Sequence, residues 1–172
     1  MNSEQMRELI RAELPTATEA ERQMVQLIAY TETGYAAWVG PGEGSHNQGA
    51  IQGKGPAGSF ETEDTHEDGK KYLARFKRYH TDAEAIRDLG ATLLKPNVRA
   101  ALASGDLSGA VAAMRRNGYF ELRLDLYQER ARANYQRLTN RLGWEPLLRP
   151  GIPRWLWGVA IAAAGWHWLT RD

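Results

Sequence analysis

A single carboxylate at the end of a predicted helix is the first candidate for chemistry in this sequence. Glu32 comes one helical turn after Ile28, on the edge of an apolar face, and Gly34 is suited to the left-handed residue that ends a helix. A carboxylate there meets the negative end of the helix dipole and partial desolvation, and both favour its protonated form. General-acid catalysis requires such a protonated acid. The alternative is a solvated glutamate in an ordinary last turn.

Four residues of metal-ligating type lie further along the chain, without a recognisable spacing. His46 and His66 are separated by turn-forming residues, with Glu43 and Asp64 nearby. This spacing matches neither a helical nor a turn motif for zinc. We therefore expect no metal ion and no cofactor.

A row of arginines offers a third kind of site. Arg123, Arg130 and Arg137 are seven residues apart on the longest predicted helix and form one polar stripe. The stripe would suit phosphate contacts, but a solvated helix face is the simpler interpretation. The net charge of the 172-residue chain is only +1, so we expect no nucleic-acid partner. The absence of cysteine excludes disulfides and thiolate metal sites.

The elements that would position these residues are mostly helical. Capping boxes begin at Thr18 and Thr81, and the length suits one domain with its own core. Apolar residues at helical spacing predict helices over residues 3–14, 18–32, 68–77, 81–94, 98–103, 106–116 and 121–142. In the helix predicted over 68–77, Tyr72, Leu73 and Phe76 would share one face.

Residues 34–69 have a different amino-acid composition. They contain nine glycines and two prolines, which favour turns and short strands over a long helix. The best strand candidates are residues 50–52 and 59–62, joined by the turn-rich residues 53–58. The predicted fold class is therefore mainly α with a small β-lobe, an α+β domain over residues 1–145.

The C-terminal part of the chain has the character of an anchor. A Pro/Gly linker is predicted at 146–153, followed by a hydrophobic helix over 154–172 with two tryptophan pairs near its ends. Its fifteen most apolar residues would span about 22 Å as a helix, against about 30 Å of hydrocarbon. We expect this helix to be transmembrane, with residues 154–169 in contact with a lipid bilayer or a partner helix. The alternative is a C-terminal helix buried on the domain. The polar N-terminus lacks the apolar core of a signal peptide.

Five short motifs, in this order, resemble the lysozyme-superfamily peptidoglycan hydrolases. They are Glu32-Thr-Gly-Tyr, Asn47-Gln-Gly-Ala-Ile-Gln, Phe60-Glu-Thr-Glu-Asp, Phe76-Lys-Arg-Tyr and Asn117-Gly-Tyr-Phe. The resemblance covers roughly residues 19–141 and is greatest to the glucosaminidase and lytic-transglycosylase branches. It implies a lysozyme-like fold that acts on glycan strands of peptidoglycan.

The resemblance also implies roles for individual residues. Glu32 matches the acid that protonates the glycosidic oxygen beneath a β-lobe. Gly49 and Gln52 match the element that lines the cleft floor, and Tyr119 matches a tyrosine that approaches the glutamate from the far side. Two features differ from these families: Phe120-Glu-Leu-Arg follows the tyrosine where the glucosaminidase branch has a Thr-Asp-Pro-like stretch, and no serine follows Glu32 as it often does in transglycosylases.

Glycoside cleavage needs a second group besides the acid. Glu61, Glu63 and Asp64 lie on the predicted lobe, and we expect one of them, with Asp64 preferred, to activate water. Each is otherwise a surface acid, and Asp64 would equally cap the helix predicted after it. The acetamido group of the sugar is the remaining alternative.

Three further residues are candidates for sugar contacts. Tyr35 and Trp38 would suit stacking on a sugar ring, and Asn47 belongs to the motif that lines the cleft. The alternative for the two aromatic residues is packing in the core.

The sequence thus predicts a peptidoglycan glycosidase or lytic transglycosylase that cleaves between N-acetylmuramic acid and N-acetylglucosamine. A terminal hydrophobic helix without a signal peptide suggests a phage lysis protein or a virion component, associated with a membrane, the cell envelope or a virion. The alternative is a tail-anchored structural protein whose lysozyme-like body binds glycans without cleaving them.

Overall fold

Helices make up most of the part of the chain that the computed structural model describes, residues 1–66 and 68–144. The helices are α1 (Ser3–Glu13), α2 (Glu19–Thr33), α3 (Asp82–Leu93), α4 (Pro96–Ala103), α5 (Leu107–Arg116) and α6 (Leu124–Leu142), with a short 3-10 turn at Gly40–Gly42. Two antiparallel strands, β1 (Ser59–Thr65) and β2 (Lys71–Lys77), form a small sheet between α2 and α3 in sequence. The predicted α+β class is confirmed for these residues.

Local capping signals set the limits of the helix that carries the candidate acid. The Thr18 side chain accepts a hydrogen bond from the Glu21 amide, and the Glu21 carboxylate accepts one from the Thr18 amide. This reciprocal box begins α2 as predicted. At the other end Gly34 adopts φ 62°, and its amide donates to the Tyr30 carbonyl. A left-handed glycine thus ends α2 directly after the turn that holds Glu32.

Helix α2 is the central element of the helical core. Nine of its fifteen residues are buried, and α1, α3, α4 and α6 all pack against it. Its largest fully buried apolar side chains are Met24, Val25, Leu27 and Ile28. Burial on nearly every side makes α2 a rigid support, because close-packed interiors resist displacement.

The predicted helix over residues 68–77 is wrong. Residues 71–77 form β2, which pairs with β1 in the register Ser59↔Lys77 to Thr65↔Lys71. Ala74 and Phe76 are buried, whereas Leu73 is 73% exposed, and this is the two-residue alternation of a strand. So short an apolar pattern fits the period of a helix as well as that of a strand. Pairing with β1 decides that the segment forms a strand.

The rest of the lobe is irregular. The strand predicted at 59–62 extends to Thr65, whereas the one predicted at 50–52 is reduced to a single bridge between Gln52 and Phe76. The lobe is attached to the helices through Asp88 of α3, whose Oδ2 accepts hydrogen bonds from Lys77 at 2.7 Å and Tyr79 at 2.5 Å. These bonds fix the base of the sheet against the helical core.

The predicted linker at 146–153 and the hydrophobic helix at 154–172 lie outside the described residues. Within residues 1–66 and 68–144, none of the helices combines the length and the apolar character that crossing a bilayer requires.

Candidate active site

Glu32 lies at the end of α2, where it meets α6. Its Oε1 accepts a hydrogen bond from the hydroxyl of Tyr127, in the first turn of α6. The Tyr127 ring is 3% exposed and stacks on Phe120, with ring centroids 3.8 Å apart. The acid is therefore held by a side chain that is itself fixed by packing.

Burial is the largest influence on the protonation of Glu32 and raises the pKa of its carboxyl group. The hydrogen bond from Tyr127 and the charge of Arg130 act in the opposite direction, because both favour the carboxylate, and the nearby Asp64 adds a small upward contribution. The net pKa is raised above the ordinary value. Glu32 therefore keeps its proton at higher pH than a solvated glutamate does.

A cleft of about 600 Å³ opens beside this carboxyl group. One wall is helical and the other is the β-lobe. The predicted site residues among its lining are Glu32, Trp38, Gly49, Gln52, Asp64 and Tyr119. Of the eight residues predicted to bind or act on substrate, the fold therefore brings six to one cleft.

The lobe wall of the cleft carries Asp64 in a fixed position. Its Oδ2 accepts hydrogen bonds from Gln52 Nε2 at 3.3 Å and from the Tyr72 hydroxyl at 3.2 Å, and Gln52 also donates to Tyr72 at 3.1 Å. The other acids of the strand have cationic partners: Glu61 pairs with Arg75 and Glu63 with Lys71. Asp64 is therefore the lobe carboxylate that neutral groups hold toward the cleft.

Tyr119 contributes to the cleft floor rather than donating to the acid. Its hydroxyl donates to the Gly49 carbonyl at 2.7 Å. Burial and the nearby Glu32 raise the pKa of Tyr119 well above its usual value, so the side chain stays neutral. Gly49 in turn has no room for a side chain, because a Cβ there would lie 2.4 Å from Leu89 Cδ1.

Trp38 combines packing with exposure to the cleft. Its ring meets Phe60 edge-on with centroids 5.0 Å apart, and its Nε1 donates to the Asn47 carbonyl at 2.8 Å. The ring is partly buried and lines the cleft. It is therefore available for a sugar contact while it supports the lobe.

Tyr35 and Asn47 lie outside the cleft lining. Tyr35 is 3% exposed, and its hydroxyl donates to the Gln26 carbonyl in the helical core. Asn47 is 1% exposed, and its side chain bonds the backbone of Ile51 and Lys77. For Tyr35 the structure selects the alternative of core packing, and it makes Asn47 a loop-stabilising residue, because neither side chain faces the space a sugar would occupy.

Three residues of the cleft were missed by reasoning from the sequence. From the sequence, Tyr127 has only a place in the helix predicted over 121–142, Arg130 only a place in the arginine stripe, and Tyr72 only a place on one face of the helix predicted over 68–77. Tyr127 and Arg130 are three residues apart and therefore share one face of α6. That spacing indicates that the two residues can act at the same site. The sequence does not show that this face of α6 meets the end of α2.

The two histidines considered as metal ligands, His46 and His66, contact separate acidic partners. His66, at the tip of the lobe, contacts Glu121 with 2.9 Å between Nδ1 and Oε2, and its ring stacks on Tyr72 with centroids 4.0 Å apart. His46 pairs with Asp82 at 3.3 Å. Across residues 1–66 and 68–144, no group of three acidic or histidine side chains could hold a metal ion. The His66–Glu121 contact joins the lobe to the loop before α6 beside the cleft.

Solved structures with a similar fold include a glycoside hydrolase domain and a peptidoglycan hydrolase. The glycoside hydrolase domain of FlgJ from Salmonella typhimurium matches with a TM-score of 0.55 and 21% identity, covering 83% of this chain and 92% of that domain. The predicted resemblance to peptidoglycan hydrolases is therefore confirmed at the level of the fold. A peptidoglycan hydrolase mutant from Sphingomonas sp. A1 matches with a TM-score of 0.50 and 21% identity, covering 78% of this chain and 99% of that one. No family model and no curated protein sequence matches the chain.

Proposed function

We propose that this protein is a peptidoglycan-cleaving glycosidase in which Glu32 is the general acid. The observation that carries the proposal is a desolvated carboxyl group with a raised pKa, held by Tyr127 at the wall of a cleft. The names of the two structural neighbours, a glycoside hydrolase domain and a peptidoglycan hydrolase, support both the reaction class and the substrate.

In the proposed reaction the glycan lies in the cleft between the lobe and the helices. Glu32 donates its proton to the glycosidic oxygen as the bond from that oxygen to the anomeric carbon breaks, which leaves an oxocarbenium-like centre. A water molecule attacks the anomeric carbon and gives its proton to Asp64, which the hydrogen bonds from Gln52 and Tyr72 hold in place. Tyr119 and Gly49 act as positioning residues for the cleft floor.

Two other endings of the reaction are distinguished by their products. The acetamido group of the sugar can replace Asp64 as the group that stabilises the anomeric carbon, and a lytic transglycosylase forms an anhydro-sugar instead of adding water. Cleavage between N-acetylmuramic acid and N-acetylglucosamine is proposed for each ending. Attachment to a membrane or virion through residues 154–169 stays a prediction.

The test is clearing of purified peptidoglycan by the wild type and by Glu32→Gln. Loss of a general acid is expected to reduce the rate by about 10²- to 10⁴-fold. Glu129→Gln is the matched control, because Glu129 is an exposed glutamate of α6 outside the cleft lining. Equal clearing by the wild type and Glu32→Gln would refute the role of Glu32.

Mass analysis of the products then separates the reactions, since hydrolysis leaves reducing ends and transglycosylation leaves anhydro ends. Asp64→Asn tests whether Asp64 is the second catalytic group. A fall in the clearing rate comparable to that of Glu32→Gln supports its water-activating role. Wild-type protein that binds glycan strands without cleaving them would instead support the non-catalytic glycan-binding alternative.

A further inference from the structure

Arg130 is a cation in the candidate cleft, next to the proposed acid. Its Nη2 donates to the main-chain carbonyl of Thr31 at the end of α2, which leaves the other guanidinium N–H groups available. The side chain is exposed and lines the cleft. In the part of the chain that the structure describes, no carboxylate oxygen lies within ion-pair distance of it, and it is the single lysine or arginine of the lining.

The acidic residues of the same cleft have other partners. Glu63 binds Lys71 at 2.6 Å, Glu121 contacts His66 at 2.9 Å, and Asp64 accepts hydrogen bonds from Gln52 and Tyr72. An arginine presents a planar fork of donors that matches a carboxylate. The remaining acid of the cleft, Glu32, feels the charge of Arg130 but is hydrogen-bonded to Tyr127 and lies outside ion-pair distance. Arg130 therefore offers a carboxylate-binding group without an ion-pair partner, among the described residues, to a ligand in the cleft.

We propose that Arg130 binds a carboxylate of the glycan substrate and makes the cleft selective for carboxylate-bearing strands over neutral ones. This inference rests on the proposed function, because it places the glycan in the cleft beside Glu32. Two sources of the carboxylate share this chemistry: the lactyl group of a muramic acid without a peptide, and the acidic groups of an attached stem peptide. A chitin oligosaccharide carries neither.

Binding of a carboxylate at Arg130 also acts on the acid. The charge of Arg130 lowers the pKa of Glu32. A bound carboxylate offsets that charge, so an acidic strand favours the protonated form of Glu32 more than a neutral strand does. Selectivity is therefore expected both in binding and in the rate of cleavage.

The competing explanation is purely structural. Lysine and arginine side chains often bond the last carbonyls of a helix, and the bond from Arg130 to Thr31 does this for α2. A structural role alone predicts that substitution of Arg130 weakens the binding of acidic and neutral glycans alike. A comparison between ligands of different charge separates the two roles.

The experiment measures binding by calorimetry in the full chain carrying Glu32→Gln, which slows turnover, with and without Arg130→Gln. The ligands are a peptide-free tetrasaccharide of alternating N-acetylglucosamine and N-acetylmuramic acid, the same glycan with stem peptides, the peptide-free glycan with its carboxylates amidated, and chitotetraose. Arg137→Gln is the matched control, because it removes a charge from the exposed surface of α6 outside the cleft lining.

Arg130→Gln is expected to weaken binding of the acidic glycans about tenfold or more, with little change for the amidated glycan and chitotetraose. Arg130→Lys should restore part of the loss, because it keeps the charge but not the fork. A loss with the peptide-free glycan identifies the lactyl carboxylate, and a loss confined to the peptide-bearing glycan identifies the stem peptide. An equal loss for all four ligands, or no loss for any, overturns the inference. If Glu32 were not the general acid, the clearing assay would show it. The ratio of affinities for acidic and neutral glycans would not change.

Discussion

Removal of one hydroxyl group tests how the cleft controls the proposed acid. Tyr127→Phe deletes the hydrogen bond to Glu32 Oε1 and keeps the ring that stacks on Phe120. A hydrogen bond to a carboxylate contributes about 1.5–3 kcal/mol, whereas one to a neutral acceptor contributes about 0.5–1.5 kcal/mol. The hydroxyl therefore favours the ionised form by about 1 kcal/mol, and its loss raises the pKa of Glu32 further.

The expected result is a displaced pH profile. Glu32 acts as an acid only while it is protonated, so activity falls as the pH rises through its pKa. In Tyr127→Phe this alkaline loss of kcat/KM moves to higher pH. In the same variant the constant value of kcat/KM at lower pH falls modestly, because a carboxylic acid with a higher pKa donates its proton less readily.

The assay is the rate of peptidoglycan clearing across the pH range, at constant ionic strength. Tyr135→Phe is the matched control: Tyr135 also lies on α6, and its hydroxyl donates to Gln23 outside the cleft lining, at 3.4 Å. Its profile should coincide with that of the wild type. An unchanged or acid-shifted alkaline limb in Tyr127→Phe would refute the reasoning.

Two further predictions concern stability. Because burial raises the pKa of Glu32 in the folded protein, the stability associated with its protonated form is full below the ordinary pKa of glutamate and is lost as pH rises through the raised pKa. The Tm of Glu32→Gln relative to wild type should therefore be higher at neutral pH than below pH about 4, and a pH-independent difference would contradict this. Gly49→Ala places a Cβ 2.4 Å from the buried Leu89 and should lower the free energy of unfolding, measured in urea, by about 1–3 kcal/mol. A urea midpoint equal to that of the wild type would contradict this and show that Leu89 moves aside without cost.

Much of the helical framework was predictable because its signals are local. The capping box at Thr18 and Glu21 and the left-handed Gly34 act within a few residues of the helix ends they define. They placed Glu32 in the last turn of α2 without information from the rest of the chain. The order of the motifs added, as a resemblance, the family fold and the residues of the cleft floor.

The β-lobe was predictable only in part. The glycines and prolines of residues 34–69 indicated turns and short strands, but Lys71–Lys77 was predicted to be helical. Seven residues with a few apolar side chains fit the spacing of a helix or of a strand. Cross-strand pairs such as Phe60↔Phe76 decide that these residues form a strand. That pairing joins two segments and cannot be read from one of them.

The sequence by itself determined a helix that ends just after a carboxylate, followed by a turn-rich lobe, because these features depend on neighbours along the chain. Only the tertiary structure decided what surrounds that carboxylate. Tyr127 is 95 residues away from Glu32 in sequence, and its bond to the acid arises because α6 packs on α2. The same packing brings Arg130 from a surface stripe into the cleft. Tyr35 is kept in the core by its own contacts with Gln26 and Tyr30. Both outcomes depend on distance in space and not on position in the chain.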